Sequence, residues 1–322
     1  MPRYRHSLPQ LQDALFVTDS GLETELVFLD RMDLPCFASF PLLYSAAGTE
    51  RLRRYYAHYA QLARAQALGL VLETPTWRAN PDWGAKLGYD ATQLGDANRL
   101  SVGLMLEIRE AYGAAAQPFV ISGNLGPRGD GYRPETRMSA QQAQDYHAAQ
   151  IETFAATDAD MVSAFTMNYI EEAVGIVRAA RAVAMPVAIS FTLETDGRLP
   201  SGDTLAQAIE ATDAATAGHA AYYMINCAHP SHFERVLGAK GSWRERIRGI
   251  RANASRRSHA ELDESPDLDD GNPAELAVEY RSLQALLPRL SVVGGCCGTD
   301  HRHVEAICHA LNTGKRLAMA TA

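Results

Sequence analysis

The stretch VAISFTLETDGRLPSGDTLAQAIEATDAATAGHAAYYMINC, residues 187–227, decides the fold. It opens on Val187–Thr192 and closes on Tyr222–Asn226. Both runs are apolar at consecutive positions, as strands buried on both faces are. Between them Asp203 stands where it can cap a helix. Strand, helix, strand is the unit from which parallel sheets are built.

Outward from this unit the same alternation fills the chain. Leu15–Asp19, Leu70–Glu73, Phe119–Ser122, Met161–Phe165, Ile247–Ala252 and Leu290–Val293 read as six further strands. Thr49 precedes Leu52, Tyr55, Tyr59 and Leu62, which recur at helical spacing. Ser139 with Gln142 makes a capping box, and Ser231 with Glu234 repeats it. Asn272-Pro273-Ala274-Glu275 sets a cap, a proline at the first helical position and a first-turn carboxylate in order. Asp300 is a further cap. Eight strands alternating with helices predict an α/β fold, a (β/α)8 TIM barrel forming one domain over residues 1–322. In such a barrel the active site lies at the carboxyl ends of the strands. The rival is an open doubly wound sheet that binds a dinucleotide. It needs a glycine-rich turn after the first strand, and Asp19-Ser20-Gly21-Leu22-Glu23-Thr24 lacks one. The one long polar stretch, Ser255–Gly271, carries Asp263, Glu264, Asp267, Asp269 and Asp270. It reads as a mobile acidic surface loop, with a lid over the rim as the sharper alternative.

Composition narrows the class. Of 322 residues 47% are hydrophobic and 21% charged, which is globular rather than disordered. The net charge of -8 argues against a nucleic-acid surface, which needs a basic face. No apolar run approaches the roughly 20 residues that span a bilayer. The basic residues between Met1 and Ser7 are followed by no apolar segment, so no signal peptide is read. The expected location is the cytoplasm, where thiols stay reduced.

Five cysteines, Cys36, Cys227, Cys296, Cys297 and Cys308, are odd in number and irregularly spaced, which argues against a disulfide framework. Cys227 directly follows the sixth strand. Cys296 and Cys297 follow the eighth after two glycines, so a barrel puts all three on one rim. Three thiolates with one open position suit catalytic Zn2+, which is tetrahedral. Gly294, Gly295 and Gly298 allow the sharp bend that lets neighbouring residues face one ion. Cys36 and Cys308 read as small buried hydrophobes. Among nearby histidines, His229 is a supporting partner, and His301 and His303 read as surface residues. The rival is a zinc-holding or redox-sensing protein in which Cys296 and Cys297 cycle to a disulfide.

Ordered motifs along the chain carry a resemblance. They are Asp19-Ser20-Gly21-Leu22-Glu23-Thr24-Glu25-Leu26, Glu73-Thr74-Pro75-Thr76-Trp77-Arg78-Ala79-Asn80, Gly126-Pro127, Ser190-Phe191-Thr192, Ile225-Asn226-Cys227 and Gly294-Gly295-Cys296-Cys297-Gly298-Thr299. The chain resembles the homocysteine S-methyltransferase family, which shares its barrel with betaine–homocysteine methyltransferase. The resemblance implies Cys227, Cys296 and Cys297 as zinc ligands and the substrate thiolate as the fourth. It implies methyl transfer from S-methylmethionine, S-adenosylmethionine or a related onium donor to homocysteine, giving methionine. Two positions depart from the family pattern. Ser20 replaces a glycine, and Phe165 stands where a glutamate is expected to hold the amino group of homocysteine. Glu171 and Glu172 are possible substitutes, and a different thiol acceptor is the alternative reading.

A thiol of pKa about 8.5 is mostly protonated at neutral pH, and zinc makes it a thiolate outright. Attack on an onium methyl then needs no general base, so no acid–base pair is assigned. Asp19, Thr74 and Asn226 are the expected substrate-binding residues, and Trp77 offers an aromatic face to a sulfonium.

Overall fold

Strands that are apolar on both faces must be covered on both, and here they close on themselves. β1 (Phe16–Val17), β2 (Gly69–Glu73), β3 (Phe119–Leu125), β4 (Met161–Met167), β5 (Val187–Phe191), β6 (Tyr222–Asn226), β7 (Ile247–Ala252) and β8 (Val292–Gly295) pair in sequence, and β8 pairs in parallel with β1. The structure, a computed structural model, describes residues 1–12 and 14–320, with side chains through Asn312. Parallel neighbours require crossovers, and each crossover carries a helix. These are Ala46–Ala65, Ala91–Tyr112, Ala140–Ala155, Ile170–Ala182, Leu205–Thr216, Pro230–Leu237 and Pro273–Leu286, and His301–Ala320 follows β8. The predicted (β/α)8 barrel is the observed fold.

Alternation along each strand divides the core in two. Phe16, Val71, Val120, Met161, Ala188, Tyr222 and Val292 form one cluster, which fills the barrel. Val17, Leu70, Leu72, Ile121, Val162, Ile189 and Val293 belong to the larger cluster between strands and helices.

Element boundaries shift where local chemistry outcompetes the apolar pattern. β6 and β7 run as predicted, whereas β8 starts two residues later than Leu290, whose N–H is spent on a turn to Leu287. The first long helix begins at Ala46 because Ser45, not Thr49, accepts from the Gly48 N–H. Thr204 displaces Asp203 as a cap by forming a capping box with Gln207. His229 takes the cap expected of Ser231, because Pro230 already occupies the first helical position. The caps at Ser139 and Asn272 are as read from sequence.

The N-terminal segment closes the bottom of the barrel around one carboxylate. Asp160 Oδ1 accepts from the N–H groups of Arg3 (2.7 Å) and Tyr4 (2.8 Å), and Oδ2 from Ile121 N–H and Arg109 Nη1, both at 2.9 Å. Asp160 and Arg109 are buried, so deleting one strands the other's charge. Asp160→Ala should therefore lose about 3–5 kcal/mol of unfolding free energy in urea titrations; a loss within about 0.5 kcal/mol, the range of an ordinary surface change, would refute this role.

Higher in the barrel, Glu73 Oε1 accepts from Ser163 Oγ at 3.1 Å. Burial pushes the Glu73 carboxyl up to about 7 from 4.5, against the opposing pull of Arg251. A raised folded-state value favours the neutral acid in the native state. Its stabilising contribution is full below 4.5 and is lost as pH rises through about 7. Glu73→Gln should thus gain on the wild type across that window, by on the order of 3 kcal/mol at about pH 8. Parallel stability curves for the two proteins in urea would show that Glu73 does not titrate there.

Candidate functional site

Two strand ends with one strand between them set the geometry. β6 ends at Asn226, and Cys227 adopts a left-handed φ of 52° that turns its side chain over the rim. Its N–H donates to Arg251 O at 3.1 Å, and Cys296 N–H donates to Ala252 O at 2.8 Å. The cysteines are therefore fixed to consecutive residues of β7. Gly294 lets β8 approach β1, because a Cβ there would collide with the Thr18 hydroxyl. Gly298, at φ 78°, reverses the chain after the cysteine pair.

The three sulfurs meet. Cys227 and Cys296 are joined as a disulfide with Cα atoms 5.4 Å apart, and Cys297 Sγ lies 4.0 Å from Cys227 Sγ. All three sulfurs fall within 4.8 Å of one another. The disulfide envisaged between Cys296 and Cys297 is not the one observed. Adjacent Cα atoms are about 3.8 Å apart across a trans peptide, below the roughly 4.4 Å an ordinary disulfide needs. Once reduced, the set suits a tetrahedral ion, whose ligand sulfurs at about 2.3 Å lie about 3.8 Å from each other. Burial pushes the Cys297 thiol up to about 12. Alone, it is therefore a neutral thiol at pH 7 and a poor nucleophile. Cys308 is buried in the core as expected, whereas Cys36 is exposed.

A cavity of about 420 Å³ opens above the sulfurs. Its wall includes Asn226, Phe165, Trp77, Tyr132, Arg251 and Glu23. The segment 255–271 is folded over the mouth rather than free in solvent. Ser258 caps a short helix, His259–Asp263, and Ser255 donates to Asp269 at 2.6 Å. Asp263, Asp267 and Asp269 face the cavity, so the lid reading of this segment describes its position.

The residues expected to bind substrate have definite partners. Asn226 lines the cavity; its Oδ1 accepts from Thr166 N–H (2.9 Å) and Ser190 Oγ (2.6 Å). It thereby holds Thr166 at φ 63°, a strained conformation for a β-branched residue. Thr74 Oγ1 accepts from Asn124 N–H at 2.8 Å and is hydrogen-bonded to Thr76 Oγ1 at 2.7 Å. Asp19 is buried, accepts from the Tyr55 hydroxyl at 3.1 Å and forms a 2.8 Å ion pair with Arg251. Neither Thr74 nor Asp19 is among the residues lining the cavity. Trp77 lines it, with Arg78 stacked 3.9 Å from its ring.

Other expected neighbours point elsewhere. Glu171 is exposed, and Glu172 is buried between His147 Nε2 (2.9 Å) and Arg128 N–H (2.8 Å), so neither reaches the cavity. His229 spends Nδ1 on Ser231 and places Nε2 3.2 Å from Glu279. His303 is buried rather than on the surface, because Asp300 and the Asp270 carbonyl take its two nitrogens. Arg251, Glu23, Tyr132 and His259 went unrecognised in the sequence. For Arg251 a signal exists: it is an arginine near the carboxyl end of a strand that is otherwise buried. Tyr132 and His259 stack with ring centroids 3.9 Å apart, but Tyr132 sits on a loop and His259 opens a five-residue helix, so no periodic pattern marks either.

Comparison with known proteins now bears on this geometry. None of the curated protein sequences compared with the chain matches it. Three solved structures of the homocysteine methyltransferase MmuM from Escherichia coli have the same fold. Its oxidized form is 22% identical over 97% of this chain and 100% of that one, with a TM-score of 0.73. Its metallated form is 22% identical over 94% and 98%, with a TM-score of 0.72, and its apo form 20% identical over 95% and 98%, with a TM-score of 0.65. The family model described as homocysteine S-methyltransferase matches residues 16–311, from β1 to the last helix. The chain belongs to the homocysteine S-methyltransferase family.

Proposed function

We propose that this protein is a zinc-dependent S-methyltransferase that moves a methyl group from a sulfonium or related onium donor to the thiol of homocysteine, giving methionine. The observation that carries the reading is the convergence of Cys227, Cys296 and Cys297 at the floor of a closed-over cavity. In reduced form these residues would hold the ion. A zinc ion bound by three thiolates keeps an added thiol deprotonated at neutral pH while its sulfur stays nucleophilic.

What the chain's own residues do follows from their placement. The thiol proton leaves to solvent. The acceptor sulfur forms a bond to the methyl carbon as the carbon's bond to the onium centre breaks, and the donor departs neutral. The walls must align sulfur, carbon and leaving group, since orientation supplies much of the rate. Glu23 and the lid carboxylates Asp263 and Asp269 favour a positively charged donor at the mouth. Tyr132 and Trp77 present aromatic surface to the same space. The closed segment 255–271 excludes water from the reacting atoms.

A second reading keeps this chemistry and changes the acceptor. It is favoured by Phe165, whose ring lies 5.0 Å beneath the Arg251 guanidinium where the family pattern has a carboxylate. A redox-sensing protein without methyl transfer predicts little bound metal. Protein purified under reducing conditions should instead hold about one zinc per chain, and Cys297→Ser should lose most of it while keeping its circular dichroism. Methylated thiol, measured by mass spectrometry with an S-methylmethionine or S-adenosylmethionine donor, should appear only with the metal-loaded protein. Reduced wild type that binds no zinc, or methylates a thiol equally well without it, would overturn the reading.

A further inference from the structure

The strand between the two cysteine-bearing strands delivers a charge to the same floor. Arg251 pairs in register with Asn226 on β6 and with Gly294 on β8. Register partners in parallel strands point to the same side, so the Arg251 side chain enters the barrel beside Asn226. Gly294 contributes no side chain to compete for that space. Arg251 is 7% exposed, and its guanidinium is fixed on several sides. Nε donates to Gly295 O at 3.0 Å, Nη2 donates to Ser20 O at 2.9 Å, and Nη2 lies 2.8 Å from Asp19 Oδ1. Below it lies the Phe165 ring. None of these contacts uses Nη1.

The pair is asymmetric in a way that a purely structural ion pair need not be. Arg251 lines the cavity above the sulfurs, whereas Asp19 is turned away towards Tyr55. A ligand on the sulfur cluster therefore meets a guanidinium, and the carboxylate behind it is already neutralised. The remaining nitrogen, Nη1, offers a carboxylate charge-assisted N–H donors, and a rigidly held guanidinium loses little entropy on binding. Phe165 beside it offers an ammonium no hydrogen-bond acceptor.

We propose that Arg251 binds the carboxylate of the acceptor thiol through its Nη1 group, making the enzyme selective for mercapto-carboxylates and largely indifferent to an α-ammonium. This rests on the thiol-acceptor reading above and names its substrate class. The anchor fixes the far end of the acceptor while its sulfur sits at the cysteines. The same Asp19 that looks like a substrate ligand in the sequence acts instead by holding Arg251 in place.

Calorimetric titration of the reduced, zinc-loaded protein with three thiols tests it. They are homocysteine, mercaptobutyrate, which lacks the ammonium, and mercaptopropylamine, which lacks the carboxylate. The two carboxylates should bind within a few-fold of each other, and the amine at least about ten-fold more weakly. In Arg251→Gln, combined with Asp19→Asn so that no lone charge is buried, that ratio should collapse towards unity, and Arg251→Lys should retain part of it. An amine that binds wild type as tightly as the carboxylates do overturns the anchor whether or not the variants fold. An unchanged ratio in a folded double variant overturns it too. If none of the three thiols binds, the methyl-transfer reading falls and takes this assignment with it.

Discussion

Barrel closure is the constraint on which the site depends. Cys227 and Cys296 are 69 residues apart in sequence, yet each spends its backbone N–H on a consecutive residue of β7. Strands two apart in a sheet lie roughly 9.5 Å from each other, so the Cα separation of 5.4 Å requires both chains to bend inward over the end of β7, as the left-handed φ of 52° at Cys227 does. Cys297 needs more, because a residue beside Cys296 would ordinarily face the opposite way. The glycines on either side of the pair supply that freedom. Replacing Gly294 or Gly298 would disturb the site without touching a single polar group in it.

The same economy governs charge. A barrel interior tolerates ions only in pairs or in neutral form. Three solutions appear along one axis. At the bottom, Asp160 pairs with Arg109 and accepts from three backbone N–H groups. In the middle, Glu73 is pushed towards neutrality by burial. At the top, Asp19 and Arg251 compensate each other, and only the cation faces the cavity. Polarity thus rises towards the sulfurs.

How much of this was legible in the sequence follows the range of the interactions involved. β6 and β7 were read to the residue because consecutive apolar positions report burial directly. So was the cysteine set, because thiols at two strand ends of a barrel must share a rim. Helix starts at Ser45 and Thr204 were missed by one to four residues, since several capping side chains competed for each. The setting of Asp19 was hidden for a different reason. Its partners, Arg251 and Tyr55, lie on other elements, and a lone aspartate at a strand end looks identical whether it is free or paired. Phe165 was flagged as a departure, but the guanidinium above it was not, because no periodicity links β4 to β7. The segment 255–271 looked like solvent-exposed loop because carboxylates lining a cavity have the same composition as carboxylates facing bulk water.

The absence of a general base from the proposed reaction agrees with the electrostatics around the sulfurs. A base would have to be an unpaired acceptor with a value near neutrality, within reach of the thiol proton. Asp19 is committed to Arg251 and Tyr55. Glu73, though near 7, lies among Ser122 and Ser163 inside the barrel and outside the cavity wall. Burial pushes His259 down to about 4, so it is neutral at pH 7, but its ring is stacked on Tyr132 and its Nε2 lies 3.5 Å from Thr192. Burial drives the Cys297 thiol in the opposite direction from the one a nucleophile needs. On the proposed reading, these groups would leave deprotonation of an acceptor thiol to an ion held by Cys227, Cys296 and Cys297.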